Sequence, residues 1–206
     1  MARKVCILDY GSGNVKSVFN VFSTLSETVV SNDAEEIKKA SHIVLPGVGS
    51  FGKAMEKINE MIPVELLIDE VMQGRKPFLG ICVGMQVMLS KGYEFGEWEG
   101  LGLIRGKVEI IETNLTLPHV GWNDVQVLRA NSITEGLPSD PDFYFVHSYK
   151  AELEDKEEVL AETLYGSNIA AVITAKGTNA FGVQFHPEKS QKAGAKILNN
   201  FLTVSQ

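Results

Sequence analysis

Cysteine is scarce in this chain of 206 residues: there are two, Cys6 and Cys82. Two thiols are too few for a disulfide framework or, alone, for a tetrahedral zinc site. Histidine is sparse as well, with four residues and no pair at metal-ligand spacing with acidic support, so no metal site is expected. Long hydrophobic runs are missing. The apolar segment after Met1-Ala2-Arg3-Lys4 stops at Asp9, far short of a signal peptide, and no later stretch approaches the roughly 20 apolar residues of a membrane helix. Positive charge is not in excess either. The net charge of -7 argues against wrapping nucleic acid or docking on an anionic membrane, while a small anionic substrate stays compatible with it. Internal repeats and low-complexity linkers are absent. What remains is a reduced, cytoplasmic protein, expected to fold as one mixed α/β domain over residues 1–206.

The first half alternates strand and helix signals. Val5-Cys6-Ile7-Leu8 is a short apolar run closed by a Gly11-Ser12-Gly13 turn, and Val15, Val18, Phe19, Phe22 and Leu25 then recur at helical spacing. Further strands are expected at Thr28-Val29-Val30, His42 to Leu45 and Pro77 to Ile81. Asp33 reads as an N-cap, and a helical stretch from Phe51 to Met72 is interrupted near Pro63. Runs that are apolar on both faces and joined by helices imply a parallel sheet covered on both sides. In the second half, short strands at Val108 to Ile111, Asp124 to Leu128, Phe143 to Val146, Val159 to Leu164, Ala170 to Ala175 and Phe181 to Phe185 follow one another without long helices. That favours antiparallel pairing before a closing helix around Ile197, Leu198 and Phe201.

Gly80-Ile81-Cys82-Val83-Gly84-Met85-Gln86 follows a predicted strand and opens a predicted helix, the spacing of a nucleophile elbow with Cys in place of Ser. The turn strains the backbone of its central residue, and side chains two positions either side would collide, so glycines stand there. The thiol then projects over the positive end of a helix, a field that favours thiolate, and the Val83 N–H points where an oxyanion would develop. Cys6, inside a strand run, reads as a buried core thiol.

A cysteine nucleophile needs a histidine held by a third group. His186 stands at a strand end, Pro187 fixes the chain after it, and Glu188 can reach its Nδ1 while Nε2 faces the thiol. His42 reads as structural. His119, in Pro118-His119-Val120-Gly121-Trp122-Asn123, is expected in a loop with an exposed Trp, and His147 at the end of an aromatic strand that forms a polar binding edge.

Together the elbow and His186-Pro187-Glu188, in the order Cys, His, Glu, resemble the class I (triad) glutamine amidotransferases. Leu45-Pro46-Gly47-Val48-Gly49-Ser50-Phe51-Gly52 resembles that family's oxyanion-strand loop. The resemblance spans nearly the whole chain. It implies an α/β fold, flavodoxin-like, with a mostly parallel sheet flanked by helices and an additional antiparallel strand region. Asp9 to Asn14, Pro118 to Asn123, Tyr144-Phe145-Val146-His147-Ser148-Tyr149 and Phe185 to Ser190 narrow it to the glutaminase subunits of imidazole glycerol phosphate synthase, of histidine biosynthesis.

That resemblance implies the chemistry. Cys82 attacks the glutamine amide, and Val83 with the Val48 and Gly49 loop forms the oxyanion hole. His186, held by Glu188, protonates ammonia and then activates water. Gly47, Gln86, His147, Ser148 and Tyr149 would bind glutamine, with no cofactor. Ammonia would pass to a (β/α)₈-barrel cyclase subunit in a heterodimer, which makes imidazole glycerol phosphate and aminoimidazole carboxamide ribonucleotide. Asn14, Trp122 and Lys189 are the candidate contacts to it. The subunit is expected to stay nearly silent until the partner binds its ligand, with Val48-Gly49 as the switch.

Other readings predict different behaviour. A dinucleotide site at Gly11-Ser12-Gly13 lacks its third glycine, since position 16 is Lys16. A cysteine hydrolase sharing the elbow would cleave peptides or esters instead of glutamine. A non-catalytic module would not depend on Cys82, and another triad amidotransferase would serve the anthranilate or purine pathways.

Overall fold

The computed structural model describes residues 3–11 and 14–205. Ser12 and Gly13, in the turn and loop motif read from the sequence, lie outside the described residues, as do Met1 and Ala2. The chain runs β1 (Lys4–Ile7), α1 (Val15–Phe22), β2 (Glu27–Val30), α2 (Ala34–Lys39), β3 (His42–Gly47), α3 (Phe51–Met61), α4 (Val64–Met72) and β4 (Phe78–Cys82). It continues through α5 (Val83–Gln86), β5 (Leu89–Gly92), β6 (Trp98–Glu99), β7 (Ile104–Ile110), β8 (His119–Asp124) and β9 (Gln126–Val127). The last elements are β10 (Asp142–His147), β11 (Tyr149–Leu153), β12 (Val159–Tyr165), β13 (Ser167–Thr174), β14 (Ala180–Val183) and α6 (Gln191–Thr203).

An eight-stranded sheet has the order β2-β1-β3-β4-β14-β13-β12-β9. Pairing is parallel from β2 across to β14 and antiparallel from β14 onward. The antiparallel expectation for the second half needs one correction: β14, its last strand, returns to the centre of the sheet, where it pairs parallel with β4 and antiparallel with β13. β3 and β4 are buried along their whole length, as expected of strands covered on both faces. α1 buries Val15, Val18 and Phe22. α3 buries Phe51, Ala54, Met55 and Ile58, a one-faced helical spacing. Each of these Val, Phe, Met and Ile side chains contributes about 1.5–3 kcal/mol on burial. Asp33 caps α2 by accepting from the N–H groups of Glu35 and Glu36 at 2.9 and 3.1 Å. Pro63 separates α3 from α4, because its ring cannot continue the preceding helix. No helix among the described residues is long and apolar enough to cross a membrane.

Two smaller sheets, β11-β7-β5-β6 and β10-β8, lie beside the large one. Here the sequence expectation needs correction. Residues 119–124 form a strand, where a loop was expected, and the strand expected from Asp124 to Leu128 shrinks to the two residues of β9. Gly121, at φ +135°, interrupts the apolar alternation and hides the strand signal. The alternation survives in burial: Val120, Trp122 and Asp124 are exposed, and His119, Gly121 and Asn123 are not. The helix that the elbow opens is one turn, the four residues of α5, before the chain turns into β5.

Candidate active site

Two register partners organise the site. Gly47 and Cys82 end β3 and β4 and pair with each other, so the loop carrying Val48 and Gly49 leaves the sheet beside the thiol. Clefts at the carboxyl ends of parallel strands are where open α/β sheets place their ligands. Neighbouring β14 ends at Val183 and delivers Gln184 and His186 to the same edge.

Cys82 sits at φ 55° and ψ -111°, a left-handed conformation disfavoured for any residue with a Cβ. Packing enforces it. A Cβ on Gly84 would run into the Leu45 carbonyl, and one on Gly80 into the backbone of Gly84. The elbow is therefore pressed against the very strand that leads into the Val48-Gly49 loop. Because α5 is a single turn, its dipole is a small source of positive field.

The His186 Nδ1–H donates to Glu188 Oε1 at 2.8 Å, and both side chains are 1% exposed. The Asn14 amide nitrogen donates to the same oxygen at 2.7 Å and lies 3.3 Å from Nδ1. Two donors thus converge on one carboxylate oxygen. Burial raises the Glu188 carboxyl, but the hydrogen bonds and charge of His186, with Asn14, hold it below the ordinary carboxylate value. Burial likewise presses His186 down, and the hydrogen bonds and charges of Cys82 and Glu188 outweigh it, raising the imidazole to about 9. Its Nε2 is buried with no aligned hydrogen bond, although it faces Cys82 closely enough for the thiol to raise it. Cys6, fully buried, is pushed up to about 11 chiefly by that burial.

Cys82 and His186 open into a cleft of about 530 Å³ lined also by Val48, Gly49, Val83, Gln86, His147, Ser148 and Tyr149. The expected catalytic, oxyanion and substrate residues thus come together, except that Gly47 stays behind the cleft, with its Cα against the Gly84 backbone. Gln86 is 3% exposed, not solvent-facing. Its Nε2 donates to the Tyr149 carbonyl at 3.2 Å and to Gln184 Oε1 at 3.1 Å, which leaves its own oxygen as an acceptor. The Gln184 amide lies 3.8 Å from the Cys82 sulfur. The three suggested partner contacts differ. Trp122 and Lys189 are at the surface, with the Lys189 ammonium 5.6 Å from the Tyr144 ring centre, whereas Asn14 is 7% exposed and faces His186 and Glu188.

Sequence reasoning assigned no role to Glu94 or Gln184, and put His119 in a loop away from the site. Glu94 is the one carboxylate among the cleft-lining residues and accepts from the Phe51 N–H at 2.8 Å. Burial raises it, while that N–H opposes the shift. Gln184 carried a readable signal, a polar residue between Val183 and Phe185 in an apolar strand. Glu94, in a turn between two short strands, carried none.

A family model described as glutamine amidotransferase class-I matches residues 6–204. The chain is 45% identical over 201 residues to the imidazole glycerol phosphate synthase subunit HisH of Lactococcus lactis subsp. lactis, covering 97% of this chain and 98% of that one. It is 42% identical over 200 residues to the subunit of the same name from Aquifex aeolicus, covering 96% and 95%. Among solved structures, PurLQS from Thermotoga maritima superposes with a TM-score of 0.76 at 17% identity, over 98% of each chain, a likeness of fold. With a family match over nearly its full length and relatives that align end to end, this chain belongs to the class-I glutamine amidotransferases.

Proposed function

We propose that Cys82, His186 and Glu188 are the triad with which this chain hydrolyses glutamine to glutamate and ammonia. The observation that carries the reading is the thiol held on left-handed backbone, in one cleft with the His186–Glu188 pair. Cys82 attacks the amide carbon as a thiolate, its proton already held by His186. The developing oxyanion lies between the Val83 N–H and one from the Val48-Gly49 loop. The imidazolium then protonates the leaving ammonia, and neutral His186 activates water to hydrolyse the glutamyl thioester. Glu94 is placed to receive the substrate ammonium, and the free oxygen of Gln86 accepts from the same group.

With relatives so named aligning along its length, the chain is the glutaminase subunit of imidazole glycerol phosphate synthase. We read residues 1–206 as one amidotransferase domain working in the cytoplasm beside a (β/α)₈-barrel cyclase, to which the ammonia passes. An exposed face supports that docking. Val120 pairs with Val146 and Trp122 with Tyr144 across β8 and β10, and Val146 also lines the cleft, so the apolar patch adjoins the site. Gly49, at φ +97° in the loop over the thiol, suits a peptide that reorients when the partner is loaded.

A chloromethyl ketone analogue of L-glutamine tests the site. It should alkylate Cys82, and excess glutamine should protect the thiol. Alkylation unaffected by glutamine would remove the glutamine site from this cleft.

A further inference from the structure

His119 lies outside the triad and the cleft lining, yet it is 3% exposed and fully engaged. Its ring stacks between Phe145, at 4.9 Å, and Tyr165, at 4.0 Å, so only in-plane partners can reach its nitrogens. Nδ1 is 3.1 Å from His147 Nε2, and Nε2 is 3.2 Å from the Asn123 amide nitrogen.

The direction of every bond in this chain can be deduced. Asn123 Oδ1 accepts from the Asp124 N–H at 3.0 Å, and its Nδ2 donates to the Leu164 carbonyl at 3.0 Å, which fixes the amide orientation. Its second N–H therefore donates to His119 Nε2, so the His119 proton is on Nδ1 and points at His147 Nε2. From the other end, His147 Nδ1 lies 2.8 Å from the Tyr149 carbonyl, which can only accept. Both ends demand the same tautomers. Burial lowers His147 to about 4, so it is neutral and has one donor and one acceptor to place. With both nitrogens committed, the His147 ring has no hydrogen bond left for a substrate, and its segment meets the cleft through other groups. The Tyr149 carbonyl also receives the Gln86 amide.

Building on the glutaminase reading above, we propose that His119 is a positioning residue of the glutamine site. Its Nδ1–H, aimed by Asn123, holds His147 in the tautomer that donates to the Tyr149 carbonyl, the group on which Gln86 also rests. Without that donor, the buried Nε2 of His147 loses its partner, and the ring loses the contact that fixes its angle to the Tyr149 carbonyl. The Tyr149 carbonyl and Gln86 then drift from the geometry that receives glutamine.

The test pairs two variants with one spectroscopic reading, using the chain in complex with its cyclase. His119→Phe keeps the stacking and removes both bonds, and should raise the KM for glutamine about tenfold with kcat within about twofold. His119→Asn places an N–H near the position of Nδ1 and should keep KM within about threefold of the wild type. Nitrogen-15 NMR of the labelled chain should show His147 protonated at Nδ1 and bare at Nε2. An unchanged KM in His119→Phe, equal impairment in both variants, or an Nε2–H tautomer at His147 would each overturn the proposal. No glutamate release by the wild-type complex would instead overturn the glutaminase reading beneath it, a failure the NMR result cannot mimic.

Discussion

Asn14 and Glu188, 174 positions apart, share a 2.7 Å hydrogen bond that ties the N-terminus of α1 to the acid of the proposed triad. The carboxylate oxygen receiving it is the one that holds His186. The motif at Asp9 to Asn14 thus bears on the catalytic pair through its last residue. Removing the amide leaves Glu188 free to turn from the imidazole. Asn14→Ala should lower glutaminase kcat about tenfold or more, the scale of a lost hydrogen bond to a charged group, with KM little changed. Steady-state kinetics of the complex checks this, and a kcat within about twofold of wild type would count against it.

The raised imidazole sets a pH limit. In the proposed mechanism His186 carries the proton that releases ammonia, and it loses that proton as pH climbs through about 9. The alkaline fall in kcat/KM should therefore centre near 9. Glu188→Gln removes a charge that holds the imidazole up, so its alkaline limb should move to lower pH. The stability change has a definite sign. His186 rises from 6.5, so its stabilising contribution is complete below 6.5 and lost as pH passes about 9. The gap in melting temperature between the wild type and Glu188→Gln should be widest near pH 6.5 and narrow towards alkaline pH. An alkaline limb unmoved in the variant would contradict this account.

The elbow is held by backbone contact. A Cβ at Gly84 meets the Leu45 carbonyl, an atom that cannot swing aside as a side chain would. Gly84→Ala should destabilise the fold by about 1–3 kcal/mol, the usual range for overpacking. Its activity should fall further than stability explains, since the strand displaced carries the oxyanion loop. Urea unfolding alongside glutaminase assays distinguishes the two effects. A variant of unchanged stability would show that the elbow has room.

Much of this was legible in sequence because its signals are local. The elbow glycines, His186-Pro187-Glu188 and the alternation of strands and helices all declare themselves within a few residues. The antiparallel edge of the sheet followed from where the long helices stop, while the return of β14 to pair parallel with β4 did not. What stayed hidden depends on distance in the chain. Asn14 reaches Glu188 across the whole fold, and His119 meets His147 only because β8 and β10 pair in one register. β8 was read as a loop since Gly121 and exposed Trp122 mimic turn composition. Glu94 enters the cleft from a turn whose direction no pattern reveals.

The two thiols should differ chemically. Cys6 is fully buried, and burial pushes its thiol to about 11, while Cys82 opens into the cleft. Iodoacetamide at neutral pH should modify Cys82 and leave Cys6 intact, as peptide mass mapping would show. Comparable labelling of both would mean that β1 opens readily.

The most direct measurement is glutamate release from glutamine by the purified chain, alone and with its cyclase partner and that partner's nucleotide ligand, against Cys82→Ala in each case. The account predicts strong release that depends on Cys82 and appears only in the loaded complex. Release surviving in Cys82→Ala, or none under any condition, would contradict it.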